Sequence, residues 1–541
     1  MAAAPGRSQS EQAEHDDAQL RALGIKPELQ RSLGFLSNFA VAFSYISVST
    51  GTYTLFALGL GVGGPAMFWG WPIVILGQTF VALNFAELSS HFPVAGSIYQ
   101  WSKRLSNKTL GWFTGWIYFW AGVLTTTAVA ITVPLVMSSI FGFVLTDPSP
   151  IGIVNNLVFW AVIVLVSTTL INAFGVRLMA MINNIGVAAE ILGMVVFALI
   201  LLIFFHNQPL SVLTETAGVE ASTGGWYFPV FLVAMFMALF VVYGFDTAGT
   251  FGEETIAASR QAPRGIISAI WLSGIVGAIF LLAIILSFKD MNAAIQGAQA
   301  FGLPIGDTIL ANMGDLGKVY LFVILFAVYV CTLAIQGATT RLLFSMGRDG
   351  RLPFGRVWAH VDTFKTPSNS AIAVGVLAAI PFLVTDSPAV VATGATALIY
   401  MSYFLCNLGV FVARTKGWPH QGAWFSLRGW GTVINLLALL WGGLMLINFA
   451  LWQSDIFGVF GTGYYVLDGA QVGLRDLTNP LISTISIGGS VQSWLPAIPI
   501  FEATLGLILI FGFLYYVAVE RRRIAAEVVG ADAATHEVTI G

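Results

Sequence analysis

Apolar residues run along this chain in long stretches separated by short polar pieces. A bilayer span needs about 20 mainly apolar residues. By that measure the pattern predicts twelve helices, at 35–58, 66–88, 112–141, 152–172, 183–205, 227–251, 266–288, 318–344, 370–385, 390–413, 430–452 and 497–519. The polar or mixed pieces are the N-terminal segment, 207–225, 289–317, 345–369, 453–496 and the residues after Val519. The expected organisation is an N-terminal tail (1–33), a ten-helix core (34–414), two peripheral helices joined by a long outer loop (415–519), and a C-terminal tail (520–541).

Two spans break their own pattern. In the sixth, Val241 to Glu254 reads VVYGFDTAGTFGEE, with Gly244 and Asp246 where a helix should continue. An ionisable residue at membrane depth is costly and marks a functional position. The first span reads FSYISVSTGTYT from Phe43 to Thr54, a crowd of hydroxyls around Gly51. One such hydroxyl can bond back to its own helix, but six serines and threonines in twelve positions point to an unwound segment. Breaks five helices apart are what a five-plus-five inverted repeat produces, with the solute site at the midplane.

Composition and charge sharpen this picture. The 541 residues are 57% hydrophobic and 9% charged, against about 25% charged in ordinary globular domains. A single polytopic all-α membrane protein follows. The net charge of -3 gives no case for nucleic acid, and Cys331 and Cys406 lie in apolar runs that imply no disulfide framework. The N-terminal segment lacks the basic start and apolar core of a secretory signal, so the first span is expected to act as its own insertion signal. With the N-terminus inside, 21 of the 24 Lys and Arg residues fall on one side of the twelve spans. Lys289, Lys318 and Arg475 are the rest. Cytoplasmic loops collect Lys and Arg, so both termini are expected in the cytoplasm and the protein in the plasma membrane.

Several linked segments resemble the amino acid–polyamine–organocation superfamily, in particular its amino acid and choline transporter branch. They are LGIKPELQRSLGFLSNFAVAFSYISVSTG before and within the first span, AELSSHFPVAGSIYQW (Ala86 to Trp101) and NAFGVRLMAMINNIGVAAE (Asn172 to Glu190). GFDTAGTFGEETIAASRQAPRGI (Gly244 to Ile266) and TTRLLFSMGRDGRLPF (Thr339 to Phe354) are the most specific. The likeness runs from about Leu23 to Phe411. It implies a LeuT-like core with broken helices 1 and 6 and secondary transport of small amino acids, amines or choline.

A broken helix can receive both ends of an amino acid. N–H groups opening a half-helix carry partial positive charge and suit a carboxylate. Carbonyls closing the other half suit an ammonium or a cation. Ser49, Thr50, Gly51 and Thr52 are therefore expected to meet a carboxylate, and Ser47 with the carbonyls before it an amine; the family resemblance implies the same division. In the sixth span, Ala238 to Val242 should end one half and Thr247 to Gly252 begin the next. Tyr243, Gly244 and Phe245 would line the substrate, with lipid-facing packing the bland reading of each aromatic. Asp246 is expected to cap the second half-helix or to attract a substrate amine.

Glu190 stands in an otherwise uncharged fifth span. In related proton-coupled permeases a lysine follows the Asn pair at this spacing; here Asn183-Asn184 is followed by Glu190. It is a candidate proton carrier, cation ligand or structural hydrogen-bond partner, with Thr332 of the eighth span as the candidate neighbour. The coupling ion is a proton or sodium, and no cofactor or metal is expected. Glu87, Glu253 and Glu254 should pair with arginines such as Arg260, Arg264 or Arg341, while Arg348, Asp349 and Arg351 read as a solvated turn.

The remaining signals are weak. Gly61 to Gly64 lack the strand-to-helix context of a phosphate loop, and no nucleophile motif or metal-ligand histidine spacing is present. The outer loop 453–496 suggests no function. An enzyme would need clustered catalytic side chains, a sensor a sizeable signalling domain, and a channel a continuous polar face. The expected function is a permease importing amino acids or related amines such as 4-aminobutyrate, by proton symport. The alternatives are an exchanger or a transporter of choline, ethanolamine or polyamines. It should sit among membrane lipid as a monomer or weak homo-oligomer.

Overall fold

The computed structural model describes residues 9–299, 302–363, 365–383, 388–420, 422–456, 464–467, 470–473 and 500–526. Helix α1 (Gln9–Ala22) precedes the spans. The first span is split into α2 (Phe35–Ile46) and α3 (Val48–Gly63), and α4 (Gly70–His91) is the second. A short helix α5 (Ser97–Leu105) leads to α6 (Lys108–Phe141), α7 (Asn156–Phe174) and α8 (Val176–Phe204). The sixth span is split into α9 (Tyr227–Ala234), α10 (Phe236–Val241) and α11 (Thr247–Thr250), and α12 (Ala258–Ser287) is the seventh. Next come α13 (Met291–Gln299), α14 (Pro304–Met313), the eighth span α15 (Asp315–Arg348) and α16 (Gly355–Trp358). The ninth to twelfth positions are α17 (Ser368–Ala379), α18 (Pro388–Thr415), α19 (Gly431–Ile456) and α20 (Ile500–Tyr515). A hairpin, Tyr464–Leu467 with Ala470–Gly473, lies in the loop between α19 and α20, most of which falls outside the described residues.

Among the described residues, nine helices are long and apolar enough to cross a membrane, and Tyr227–Val241 and Ser368–Leu383 are shorter apolar helices. With α20 they stand at the twelve positions the hydrophobic pattern predicts. Asn107 and Asn155 start α6 and α7 by accepting the N–H groups of Leu110 and Val158, so two of the long spans begin at ordinary side-chain caps. The outward faces of α8 and α19 expose Leu192, Leu199 and Ile203, and Leu436, Leu440 and Leu444. An apolar belt of this kind suits lipid, where every backbone group must bond within its own helix. The first span runs five residues beyond the expected end, because α3 continues to Gly63 under α9.

The N-terminal segment is more than a tail. Leu20, Leu23 and Ile25 pack on Phe92 and Val94, and Arg104 donates to the Leu23 carbonyl. At the same end of the bundle Arg351 pairs with Glu520 near the end of the described chain. The first and last described segments therefore share one end, which we call the basic end.

Candidate functional site

The first break is made at Ser47, whose φ of 26° lies outside the helical region. A non-glycine residue held there stores about 1–3 kcal/mol and needs over-determined surroundings. Those surroundings are polar. The Thr50 N–H donates to Ser47 Oγ, and the two hydroxyls lie 2.6 Å apart. Ser47 Oγ also donates to Glu190 Oε1 at 2.8 Å. The same carboxylate oxygen accepts Ser49 Oγ at 2.7 Å and the Ser49 N–H at 3.1 Å. Glu190, reaching from α8, thus sits on the opening turn of α3. Sequence reasoning singled out Ser47, Ser49 and Glu190 separately without joining them.

Thr332 does something else. Its hydroxyl donates to the Val328 carbonyl of its own helix, the common fate of a helical threonine, and no hydrogen bond joins it to Glu190 among the described residues. Thr52 likewise bonds back to Val48. One α15 residue that does reach the first break is Cys331, whose Sγ lies 3.6 Å from the Tyr45 carbonyl.

The second break runs from Val242 to Asp246. Gly244 has φ of +87°, and a Cβ there would fall 1.9 Å from Cδ1 of Tyr45. Both facts demand glycine. Gly51 meets the same requirement from the other side, since a Cβ on it would lie 2.5 Å from Val241. Tyr45 and Tyr243 touch edge to face, and the Tyr243 hydroxyl lies 3.2 Å from that of Thr125 on α6. The two breaks therefore face each other across Gly51, Tyr45, Val241 and Gly244.

Asp246 corrects one expectation. Its side chain makes no capping bond to α11; its backbone carbonyl accepts the Gly249 and Thr250 N–H groups instead. The carboxylate accepts the hydroxyls of Ser97 on α5, Tyr118 on α6 and Tyr403 on α18. Tyr403 also accepts the Gly244 N–H at 2.9 Å, so one phenol ties both sides of the break. Ser97, Tyr118 and Tyr403 carried no sequence signal, because each is an ordinary residue of an amphipathic or apolar run until tertiary packing brings them together. Tyr243 and Phe245 are both core residues rather than lipid-facing, with Phe245 packed on Phe85 and Tyr403.

The centre is shut on both sides. Ser47, Ser49, Thr50, Tyr243, Phe245 and Asp246 are each at most 2% exposed. On the basic side Arg341 grips Glu254 through two nitrogens, both side chains being buried, and stacks on Phe251. Arg348 grips Glu253 in the same two-pronged way. The N-terminal segment closes over them: the Ser32 and Leu33 N–H groups donate to the Glu254 carbonyl, and Asp16 accepts the Ala257 N–H. Glu87 pairs with Arg414, whereas Arg260 and Arg264 stack on Trp424.

Arg348, Asp349 and Arg351 are accordingly no solvated turn. Asp349 accepts Tyr99 and Gln100 and pairs with Lys103, while Arg351 is buried against Glu520. On the opposite side, Gln299 donates to the Gly61 carbonyl and Tyr227 to that of Gly63. A separate cavity of about 770 Å³ opens at the basic end, lined by Arg31, Phe174, Arg177 and Lys365 among others.

Residues 33–463 match the family described as amino acid permease. The chain belongs to the amino acid permease family. It is thus a membrane transporter of the amino acid–polyamine–organocation superfamily and not an enzyme, and its partner is a small-molecule substrate. One relative of this permease is the rice amino-acid permease BAT1 homolog, 29% identical over 80% of this chain and 87% of its own length. The Arabidopsis thaliana amino-acid permease BAT1 is 26% identical over the same shares. The thiamine transporter thi9 of Schizosaccharomyces pombe is 29% identical over 79% of this chain and 80% of its own. Among solved structures, MhsT in complex with L-phenylalanine superposes with a TM-score of 0.57 at 15% identity. It covers 79% of this chain and 99% of the other, and the permease shares its LeuT-like fold.

Proposed function

We propose that the permease imports amino acids or related amines across the plasma membrane by proton symport, both termini lying in the cytoplasm. The observation that carries this reading is the pair of facing breaks, buried between an ionic plug and an outer cover. Half-helix ends at a midplane cavity offer complementary seats for the two charged ends of a zwitterion. Ser49 to Thr52 would face the carboxylate, with Ser47, Tyr243, Gly244 and Phe245 around the rest. Asp246 acts as a structural knot that holds the second break open through Tyr403. Glu190 is the proton carrier: it is the intramembrane carboxyl bonded to the first break, and intramembrane acids mark proton relays. The bond from Thr332 to its own helix supports a packing role for that residue.

Of the relatives named above, two are amino-acid permeases and one is a thiamine transporter. The thiamine transporter supports a second reading, a cationic amine as substrate. Uptake by reconstituted liposomes decides between them. Labelled neutral amino acids, 4-aminobutyrate, choline, putrescine and thiamine are offered under an inward proton gradient, an inward sodium gradient, or neither. Accumulation of an amino acid driven by external acid is the expected result. Accumulation that follows sodium and ignores protons contradicts the coupling, and no uptake under either gradient contradicts transport of these compounds.

A further inference from the structure

The seat expected for a substrate carboxylate is already in contact with a carboxylate that belongs to the chain. Glu190 Oε1 takes the Ser49 N–H in the first turn of α3, together with the Ser47 and Ser49 hydroxyls. In the same turn the Thr50 N–H is held by Ser47 Oγ, which is itself bonded to Glu190, and the Gly51 N–H by the Ser47 carbonyl. One anion therefore uses the partial positive charge of this half-helix, worth roughly half a unit charge.

Among the described residues nothing else balances it. Against α8 pack α2, α7, α12 and α15, with the opening turn of α3 at Glu190, and they bring no cation to it; α7 carries no titratable side chain. The titratable groups of α2 and α3 are Tyr45 and Tyr53, and those of α15 nearby are Cys331 and Tyr320. The charged residues of α12, Arg260 and Arg264, stack on Trp424 at the basic end. On α8 itself the other charged residue is Arg177, in its first turn. A substrate carboxylate arriving at α3 would place two anions at one half-helix, away from water. Two carboxylates sharing such a site do not both stay ionised.

We propose that Glu190 is a built-in stand-in for the substrate carboxylate, so that a carboxylate-bearing substrate enters only with a proton on Glu190, and an amine lacking the carboxylate enters without one. The inference rests on the transport reading above and adds to it a rule for which substrates are proton-coupled. When Glu190 takes the proton, its negative charge is lost, the Ser49 N–H is released to the incoming carboxylate, and the new O–H becomes a donor toward Ser47, Ser49 or the substrate. When the substrate leaves, the proton leaves with it and Oε1 returns to the turn. The device explains why serines stand at both 47 and 49, since they satisfy the carboxylate of the empty carrier and can serve either protonation state.

The test uses the full chain in sodium-free liposomes with a trapped pH dye. Two probe pairs are offered: 4-aminobutyrate with putrescine, and glycine betaine with choline. In each the second member replaces the carboxylate by a group without negative charge. Wild type should take in about one proton per carboxylate-bearing molecule, its half-saturation concentration rising about tenfold per pH unit on the alkaline side, as one-proton linkage requires. The partner compounds should carry no proton and show no such slope. Glu190→Gln should abolish the proton flux and flatten the slope for the carboxylate member.

Equal proton flux with both members of a pair overturns the carboxylate rule while leaving proton symport intact. A carboxylate substrate entering without protons overturns it too, as does proton flux persisting in Glu190→Gln. The wild-type comparison stands alone if the variant does not fold. Uptake of neither member of either pair overturns the rule, and it overturns the transport reading as well when the neutral amino acids of the wider panel also fail to enter.

Discussion

The phenol oxygen of Tyr403 lies 2.9 Å from the backbone nitrogen of Gly244. The same hydroxyl donates to Asp246, so a side chain from the tenth span fixes both ends of the sixth-span break. Tyr403→Phe leaves a buried N–H and a buried carboxylate each short of a partner, at about 1–3 kcal/mol per group. Thermal unfolding of purified protein should fall by several degrees, and uptake should fall more steeply than the stability loss alone explains. Wild-type uptake in the folded variant would refute the knot.

Gly244→Ala places a methyl group on the Tyr45 ring and demands a left-handed conformation of alanine. Overpacking of this kind costs about 1–3 kcal/mol, and relief must come from movement of Tyr45 or of the break itself. Uptake by Gly244→Ala should be lost, and Tyr45→Ala in the same chain should recover part of it. Failure of the second change to help would mean the clash is not the cause.

Arg341 and Glu254 form a buried, two-pronged pair on the basic side of the breaks. Removing one partner of such a pair leaves an uncompensated charge and costs about 3–5 kcal/mol. In Arg341→Ala the closed arrangement should lose population. A cysteine placed at Thr250 should then react faster with an impermeant thiol reagent added at the basic end. Equal labelling rates in the two backgrounds would remove the pair from any gating role.

Acid should loosen the basic-end cluster first. Burial acts to raise the Asp349 carboxyl, but the Lys103 ammonium and the hydrogen bonds from Lys103 and Tyr99 outweigh it and hold it below the ordinary carboxylate range. A carboxyl depressed in the folded state adds stability above its unfolded value, about 3.9, and that contribution is lost as pH falls through the folded value. Lys103→Met should therefore melt below wild type at pH 6, with the gap closing as the pH is taken toward 3. A gap that widens in acid would contradict this sign.

Much of the fold was legible because hydrophobic length is a local signal. Both breaks were visible for the same reason, since Gly51, Gly244 and Asp246 interrupt apolar runs. What sequence could not give was partnership. Asp246 followed the usual helix-capping rule on paper, yet three hydroxyls from α5, α6 and α18 compete for its carboxylate and win. Glu190 had a candidate partner on α15, but Thr332 bonds back to its own helix and the serines of the first break stand closer. Arg348 and Asp349 looked like a polar turn because nothing in their own segment shows Glu253 and Lys103 waiting opposite.

The central claim is that the two facing breaks are the substrate seat. The measurement that bears on it most directly is a structure of the chain with a transported compound bound. Ligand density should lie between Ser47–Thr52 and Tyr243–Asp246, with a polar atom within about 3.2 Å of the backbone of one break and Glu190 displaced from the Ser49 N–H. Density elsewhere, for instance in the cavity beside Arg31, Arg177 and Lys365, with the breaks occupied only by their own side chains, would contradict it.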